Sequence, residues 1–475
     1  MTDMPEDNGV EPQTEERAPR AEENLLVRLL PTGRVLILSG VGVLLVLGAI
    51  LIITAIGDEE SSDPDKRVNA LANSDNECVD CHRRTTPGIV EQYGYSTMAA
   101  AEVLCEECHV VSEDYPGAID HFDTFVLNQP TTAKCETCHN AETSQFLASR
   151  HGIPAYVAMV GLEGLNADQL AMFEAIPEAV GINPNDERNA LFELEGPAVT
   201  YFACEGCHNI GRPAADGSVG QCQSCHLSHT FSLEQARRPE TCNACHIGPD
   251  HPQWEIFLES PHGIAYMIDG DNWNWDAEPG TLTVSDFPAP TCATCHISGF
   301  GAIGTSHDVG SRLTWYLFQP ISERRPAWQD NLVEMQTICT ECHNPNFVDE
   351  FYTRGDELVY AINDWVVESN EIFLPLREDG LISPQPFDET IEFEHFNLWH
   401  HWGRTAKFGS WMQGPDYTQW HGAYEVLHSM AELREMADAI RAEAEAAADV
   451  VAEASAELEE DTGAPLAESS SEGGT

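Results

Sequence analysis

The longest uncharged hydrophobic run of the chain lies near its start. Residues 35–56 (VLILSGVGVLLVLGAILIITAI) carry no charge, and a helix of this length spans ~33 Å, enough to cross a hydrocarbon core of ~30 Å. Arg20, Arg28 and Arg34 precede the run and three acids follow it, which places residues 1–34 in the cytoplasm. We predict a single-pass anchor in the cell membrane, with the remaining chain on the extracytoplasmic (periplasmic) side. The alternative is a cleaved signal peptide, whose apolar region is usually shorter and nearer the start.

Helical periodicity characterises the part of the chain after residue 345. Apolar side chains recur at i, i+4, i+7 and i+8 from Leu358 to Val366, the pattern of an amphipathic helix. A second helical region runs from about 423 to 460, and a shorter one has the sequence ADQLAMFEAI. We therefore predict a mainly α protein with little β structure and long C-terminal helices.

The charge balance excludes two classes of partner. The chain has 79 acidic and 23 basic residues, a formal net charge of -56. A surface of this sign repels nucleic acid and anionic lipid headgroups and favours cationic partners, such as a basic electron-transfer protein.

All sixteen cysteines belong to eight copies of one pattern, Cys-x-x-Cys-His. No thiol is left for a disulfide elsewhere. In chain order the motifs are Cys78, Cys81 and His82; Cys105, Cys108 and His109; Cys135, Cys138 and His139; Cys204, Cys207 and His208; Cys222, Cys225 and His226; Cys242, Cys245 and His246; Cys292, Cys295 and His296; Cys339, Cys342 and His343.

This pattern is the signature of covalently attached c-type haem. On one helical turn, positions i, i+3 and i+4 share a face, so two sulfurs can hold the porphyrin edge while the histidine binds the iron. A zinc or thioredoxin-like site explains Cys-x-x-Cys but not a histidine after every copy. We therefore predict eight haem c groups.

With roughly 33 residues for each haem, the porphyrins must form much of the core. The predicted fold is a multihaem cytochrome c with a haem-packed core. The predicted parts are a disordered cytoplasmic N-terminus (1–34), the anchor (35–56), a linker (57–74), an octahaem domain (75–345), a C-terminal helical domain (346–460) and a disordered acidic tail (461–475).

Each iron has a second axial position, and eleven of the 19 histidines lie outside the motifs. A pure electron carrier would use eight of them, whereas an enzyme would leave one iron open and use seven. The sequence does not decide among His395, His400, His401 and His428. The predicted second ligands are His121, His151, His229, His262, His307, His401 and His421.

The turn after the sixth motif, IGPDHPQ, presents Asp250 and His251 between two prolines. Five residues beyond His246, the chain is too short to pass round the porphyrin edge, so this pair faces something else. An imidazole beside a carboxylate is a general-base arrangement. The alternative is that His251 binds a neighbouring iron.

The eight motifs in this order, together with CNACHIGPDHPQ, NLWHHWGR and MQGPDYTQWHG, resemble the octahaem hydroxylamine oxidoreductase family over about residues 75–430. The resemblance implies that the haem of the fourth motif is five-coordinate and catalytic. It implies that the other seven are bis-histidine relays. It also implies that Asp250 and His251 lie over the open iron and accept substrate protons.

The same resemblance implies a homotrimer in which Tyr417 of one subunit bonds covalently to the catalytic haem of its neighbour. Tyr316 is a second active-site tyrosine by this resemblance. Simple packing of Tyr417 against Trp420 is the alternative. Because members without the cross-link look reductive, Tyr417 favours oxidation.

We thus predict a hydroxylamine oxidoreductase that forms nitric oxide or nitrite from a small nitrogenous substrate. The expected electron partner is an acceptor protein or a quinone-linked cytochrome. The alternatives are hydrazine oxidation, reduction of nitrite or hydroxylamine to ammonia, and a non-catalytic electron conduit.

Overall fold

Helices make up most of the described structure, a computed structural model that covers residues 76–176 and 188–462. The predicted anchor and linker, and nearly all of the acidic tail, lie outside these residues. Within the two described ranges, none of the helices combines the length and the hydrophobicity needed to cross a bilayer.

Short helices carry the cysteine motifs and the segments between them. They are Glu77–Thr85, Pro87–Gly94, Thr97–Ala100, Cys105–His109, Thr132–Glu136, Asn140–Ala148, Ile153–Val160, Ala167–Glu174, Ala190–Thr200, Cys204–His208, Leu233–Arg237, Pro239–Asn243, Gln253–Glu259, Pro261–Asp269 and Trp328–Thr340.

Long and intermediate helices follow the eighth motif, as the periodicity predicts. They are Pro345–Glu378, Thr390–Asn397, Arg404–Met412, Pro415–Thr418 and Tyr424–Thr462, with π-helical turns at Leu398–Gly403 and Gln419–Ala423. Single 3-10 turns occur at Leu162–Gly164, Asn209–Gly211, Cys222–Ser224 and Gly270–Asn272, and a further π turn at Thr294–Ser298.

One small sheet accounts for the strands of the described residues. Strands Val110–Val111 and Ile119–His121 both pair antiparallel with Thr124–Val126, which lies between them. The sheet links the second motif to a predicted second ligand, because its first strand begins directly after His109 and its second ends at His121.

Each Cys-x-x-Cys-His motif closes about one helical turn. In four motifs the amide of the histidine donates to the carbonyl of the first cysteine at 2.9–3.0 Å, at His139, His226, His246 and His343. This i to i+4 bond brings both thiols and the imidazole to one face. All sixteen cysteines are unbridged and none is fully buried.

Side-chain cores are small and unevenly distributed. Between residues 76 and 152 the fully buried hydrophobic side chains are only Val79 and Leu127, although this part carries three motifs. The larger clusters lie farther along the chain, one around Trp273, Trp275 and Phe287 and others among the C-terminal helices. A haem-packed core, expected from the sequence, suits this distribution.

The predicted amphipathic helix packs as its periodicity requires. Ile362 and Val366 of Pro345–Glu378 are fully buried against Leu398, Val426 and Met430. These contacts hold together the long helices and the π-helical turn Leu398–Gly403, which carries two histidines.

A buried lysine ties the helix Arg404–Met412 to a neighbouring loop. Lys407 has no exposed surface, and its Nζ donates to Ser322 Oγ at 2.8 Å and to the carbonyl of Gln319 at 3.3 Å. Burial, followed by repulsion from Arg404, lowers the pKa of Lys407 to about 7.

The Lys407 ammonium should make stability depend on pH. Between pH 7 and an unfolded pKa of about 10.4, the unfolded chain binds the extra proton, so stability rises with pH by up to ~1.4 kcal/mol per unit. We expect Lys407→Met to remove this rise, measured as denaturant midpoints between pH 7 and 10. Ser322→Ala is the control, because it removes the 2.8 Å hydrogen bond and keeps the titrating amine. Equal slopes in wild type and Lys407→Met would contradict the assignment.

Candidate functional site

Five motif histidines face a second imidazole at nearly constant spacing. The ring centroids are 6.0–6.2 Å apart in the pairs His82–His121, His109–His229, His246–His151, His226–His307 and His343–His262. Each partner is one of the seven second ligands predicted from the sequence.

This spacing fits a metal held between two imidazoles. An imidazole nitrogen binds a metal at about 2.0 Å, so two rings on opposite sides of one ion have centres roughly 6 Å apart. Directly stacked rings would lie closer, as Phe373 and His395 do at 4.2 Å. The donor set therefore suits bis-histidine haem.

Backbone carbonyls orient the rings of two motif histidines. His109 Nδ1 lies 2.7 Å from the carbonyl of Leu127, and His208 Nδ1 lies 2.7 Å from that of Ala155. Such a bond leaves Nε2 of each ring for the metal.

Three motif histidines lack this arrangement. Across the described ranges, no second imidazole lies at comparable spacing from His139, His208 or His296. The sequence predicted one open position, at His208.

The two other predicted ligands lie elsewhere. His421 is exposed, with Nδ1 2.8 Å from Asp416 Oδ2 and its ring 5.1 Å from that of Tyr417. His401 lies beside His400, near Asp250. Their role as ligands stays a prediction.

The glycines that follow three of the predicted ligands serve close backbone packing. A Cβ at Gly152, Gly263 or Gly422 would meet a backbone carbonyl, of Leu147, Phe257 and Tyr417 respectively. Within the chain, these glycines therefore allow close approach to backbone.

Asp250 is the centre of a polar cluster. Its Oδ2 lies 2.9 Å from His251 Nδ1, and its Oδ1 lies 2.8 Å from His400 Nδ1 and 3.0 Å from Arg404 Nη1. Arg404 Nη1 also lies 2.8 Å from His400 Nε2. A guanidinium can only donate, so His400 accepts at Nε2. Its Nδ1 lies close to Asp250 but without the geometry of a hydrogen bond.

Three groups of this cluster have pKa values that differ from their ordinary ones. Burial raises the pKa of Asp250, but the adjacent imidazoles of His251 and His400 outweigh it and hold that pKa well below its usual range. Burial lowers the pKa of His400 to about 4 and that of Arg404 to about 10. At neutral pH, Asp250 is therefore an anion, Arg404 a cation and His400 neutral.

The same cluster also has the geometry of a metal site. Ligand atoms of Asp250, His400 and His401 all lie within 4.8 Å of one another. However, the Arg404 guanidinium already bonds Asp250 and His400. A second cation there would be repelled, which disfavours a metal ion in the cluster.

The cluster lies beside the fourth motif. Burial lowers the pKa of His208, and His251, Asp250 and Arg404 are among the groups that act on it electrostatically. The thiols of Cys207 and Cys245 lie near enough to each other to shift each other's pKa, so the fourth motif lies near the sixth. The short turn after His246 thus presents Asp250 and His251 toward another motif. The His251 ring is also 6.3 Å from His246, but a five-residue connection cannot reach the opposite face of the same haem.

The two tyrosines predicted for the site lie in different surroundings. Tyr316 is fully buried, with Arg150 4.3 Å and Arg325 5.1 Å from its ring centroid. Tyr417 is half-buried, stacks on His421, and its amide donates to Glu259 Oε1 at 3.3 Å. Trp420 stacks on Tyr424 instead of on Tyr417.

The sequence analysis did not predict the roles of three residues at this site. His400 and Arg404 hold Asp250, and Phe318 covers His251 with ring centroids 4.9 Å apart. Arg404 Nε also donates to the Phe318 carbonyl at 2.8 Å. His400 and Arg404 are four apart in NLWHHWGR, so an i, i+4 pairing was the available signal.

The proximity of thiols gives the order of the motifs in space. Thiols of different motifs lie near enough to influence each other's pKa in seven pairs. The pairs are Cys78–Cys105, Cys108–Cys138, Cys135–Cys222, Cys225–Cys242, Cys242–Cys292, Cys295–Cys339 and Cys207–Cys245. The motifs therefore follow the order one, two, three, five, six, seven and eight, and the fourth joins at the sixth.

Known proteins share these features. Residues 200–389 match a family described as "Seven times multi-haem cytochrome CxxCH", and residues 64–140 match "Cytochrome c7 and related cytochrome c". A protein of Kuenenia stuttgartiensis described as a probable nitrite reductase-hydroxylamine oxidoreductase fusion is 29% identical over 371 residues. The match covers 65% of this chain and 39% of that protein, so the chain spans about two fifths of this relative's length.

Two solved structures share the fold. A hypothetical multiheme protein superposes with a TM-score of 0.68 and 21% identity, covering 81% of this chain and 99% of that one. A reducing HAO-like protein complex of Kuenenia stuttgartiensis gives a TM-score of 0.58 and 19% identity, covering 78% and 86%. The CxxCH families indicate covalently bound haem c.

The pairing of His262 with His343 can be tested in the holoprotein. We expect His262→Ala to convert one low-spin haem to high-spin, because it removes one axial ligand, and added imidazole to reverse the change. Electron paramagnetic resonance measures both. His395→Ala is the matched control, since His395 is also buried but bonds Asn370 and stacks on Phe373. An unchanged low-spin signal in His262→Ala would remove the pair.

Proposed function

We propose that this chain, a multihaem c-type cytochrome, oxidises hydroxylamine at a haem bound through His208. The observation that carries the proposal is the cluster of Asp250, His251, His400 and Arg404 beside that motif. Of the three motif histidines without a second imidazole, we assign substrate to His208 because this proton-accepting cluster lies beside it.

The cluster provides for the protons of the reaction. Oxidation of hydroxylamine to nitric oxide releases three protons and three electrons. His251 donates Nδ1–H to Asp250, which leaves Nε2 to accept a proton. The Asp250 anion stabilises the imidazolium that forms, and His400 and Arg404 keep its carboxylate in position.

A haem at His208 would supply an open iron position for the substrate nitrogen and receive its electrons. Phe318 and Phe408, whose ring centroids are 4.9 Å apart, pack beside the cluster and limit access of water to it. The cationic Arg404 helps to hold Asp250 ionised while protons arrive one at a time.

Removal of the Asp250 charge tests the proposal. We expect Asp250→Asn to keep its haems and spectrum and to lower kcat for hydroxylamine by ~10²–10⁴-fold, the usual contribution of a general base. Turnover is measured with a one-electron acceptor. Asp356→Asn is the control, because Asp356 likewise accepts from an arginine, Arg324, and from Trp315, but belongs to no motif cluster.

Two outcomes would contradict the assignment. One is wild-type turnover in Asp250→Asn. The other concerns His251→Ala, which should slow turnover in the same way; conversion of a low-spin haem to high-spin in that variant would instead make His251 an iron ligand.

A reductive role is the second candidate. The relative is named a nitrite reductase fusion and one structural neighbour is called reducing. The same residues would then donate protons while nitrite or hydroxylamine becomes ammonia. Ammonia formation from nitrite with a chemical reductant, without hydroxylamine oxidation, would favour this direction.

Exposed aromatic groups support a homotrimer in which Tyr417 reaches a neighbouring subunit. Trp420, Tyr424 and Leu427 form an exposed apolar face beside Tyr417. Tyr201 and Phe202 are exposed directly before the fourth motif, with Phe202 85% exposed. The two patches differ, so a contact between them would be heterologous, and a heterologous contact forms a trimeric ring when its rotation closes after three subunits.

A covalent bond from Tyr417 to the neighbour's haem would join the subunits. Each bond removes two hydrogens, and the oxidised haems accept the two electrons. We expect denaturing electrophoresis of the holoprotein to show a haem-staining trimer, which Tyr417→Phe reduces to monomers. Tyr424→Phe, on the same face, is the control and should leave the trimer intact. A wild-type monomer on the gel would exclude the cross-link and weaken the case for oxidation.

A further inference from the structure

Arg150 is a buried cation whose charge the described chain does not balance. Its guanidinium lies 4.3 Å from the centroid of the buried Tyr316 ring, and Arg325 lies over the same ring at 5.1 Å. Two guanidinium groups thus lie over one buried aromatic ring, an environment in which a close anion stabilises a charge.

Two hydrogen-bond donors of Arg150 have no partner. Nε and Nη2 are both buried, and neither meets an acceptor within residues 76–176 and 188–462. No carboxylate of those ranges forms an ion pair with Arg150, although the chain has 79 acids. Burial lowers the pKa of Arg150 to about 10, which leaves it a cation at neutral pH.

The position of the two donors defines the ligand. Nε and Nη2 form one edge of the guanidinium, the edge that binds a carboxylate through two parallel hydrogen bonds. Such an edge selects a planar group with two oxygens on one carbon or nitrogen.

We propose that Arg150 is a buried binding site for a planar oxyanion group, held side-on through Nε and Nη2. The group is either a propionate carboxylate of the haem between His151 and His246 or a small free anion such as nitrite. His151 directly follows Arg150, and its ring centroid is 6.0 Å from that of His246. A propionate of a haem between these two rings would therefore be closer to Arg150 than an anion from solution. The site is independent of the reaction direction at His208.

The test is a spectroelectrochemical titration of the haems in the intact holoprotein. The oxidised haem carries one more positive charge than the reduced haem, so loss of a neighbouring positive charge favours the oxidised form. Arg150→Gln should therefore lower the midpoint potential of one low-spin haem. Arg150→Lys keeps the charge without the two-donor edge and should give a smaller downward shift. Arg324→Gln is the matched control, since Arg324 also lies over an aromatic ring but pairs with Asp356.

Added formate, and separately nitrite, distinguish the two sources. If neither anion changes the midpoint potentials of the wild type, but Arg150→Gln does change one of them, the site binds the haem carboxylate. Potentials that respond to the anions in wild type but not in Arg150→Gln assign it to a free anion. The proposal is overturned if Arg150→Gln keeps all wild-type potentials, or if Arg324→Gln shifts the same haem equally. If Arg150→Gln loses haem, the test uses Arg150→Lys instead. Midpoint potentials equal to those of the wild type in Arg150→Lys would overturn the two-donor contact.

Discussion

The spacing of about 6 Å between paired imidazoles is the constraint on which the rest of the structure depends. A haem bound between such a pair would fix two distant segments, such as those of His109 and His229, because both rings would bind one metal from opposite sides. The same requirement replaces a side-chain core. Between 76 and 152 the fully buried hydrophobic residues are only Val79 and Leu127, too few to stabilise three motif regions by apolar burial alone. The cofactor is thus part of the fold.

Polar surroundings, more than a vacant coordination position, distinguish the candidate site. His139, His208 and His296 all lack a second imidazole in the described structure, but only His208 is the neighbour of the Asp250 cluster. His139 lies half-exposed near Glu142, and His296 is partly buried near His151. An open iron supports proton-coupled chemistry only where a group can accept the protons, and Asp250 with His251 provides one.

The sequence predicts what local spacing determines. Cys-x-x-Cys-His closes a helical turn wherever it occurs, and the apolar repeat from Leu358 to Val366 lies on a buried face. Five of the histidines predicted as second ligands lie opposite a motif histidine. The features that the sequence could not predict depend on contacts between distant segments. His400 lies 2.8 Å from Asp250, 150 residues earlier, because the helix Arg404–Met412 packs on Gln253–Glu259. Its i, i+4 spacing from Arg404 is a local signal, but the contact with Asp250 is not.

The long stretch without cysteine, from 140 to 203, follows from the spatial order of the motifs. The third motif contacts the fifth through Cys135 and Cys222, so the chain must leave the row after His139 and return at Cys222. The excursion carries the fourth motif, which meets the row at the sixth through Cys207 and Cys245. Its helices also supply His151 to the sixth motif and the Ala155 carbonyl to His208. A substrate bound at the fourth motif would therefore sit on a branch, and electrons entering at the sixth motif could leave toward either end of the row.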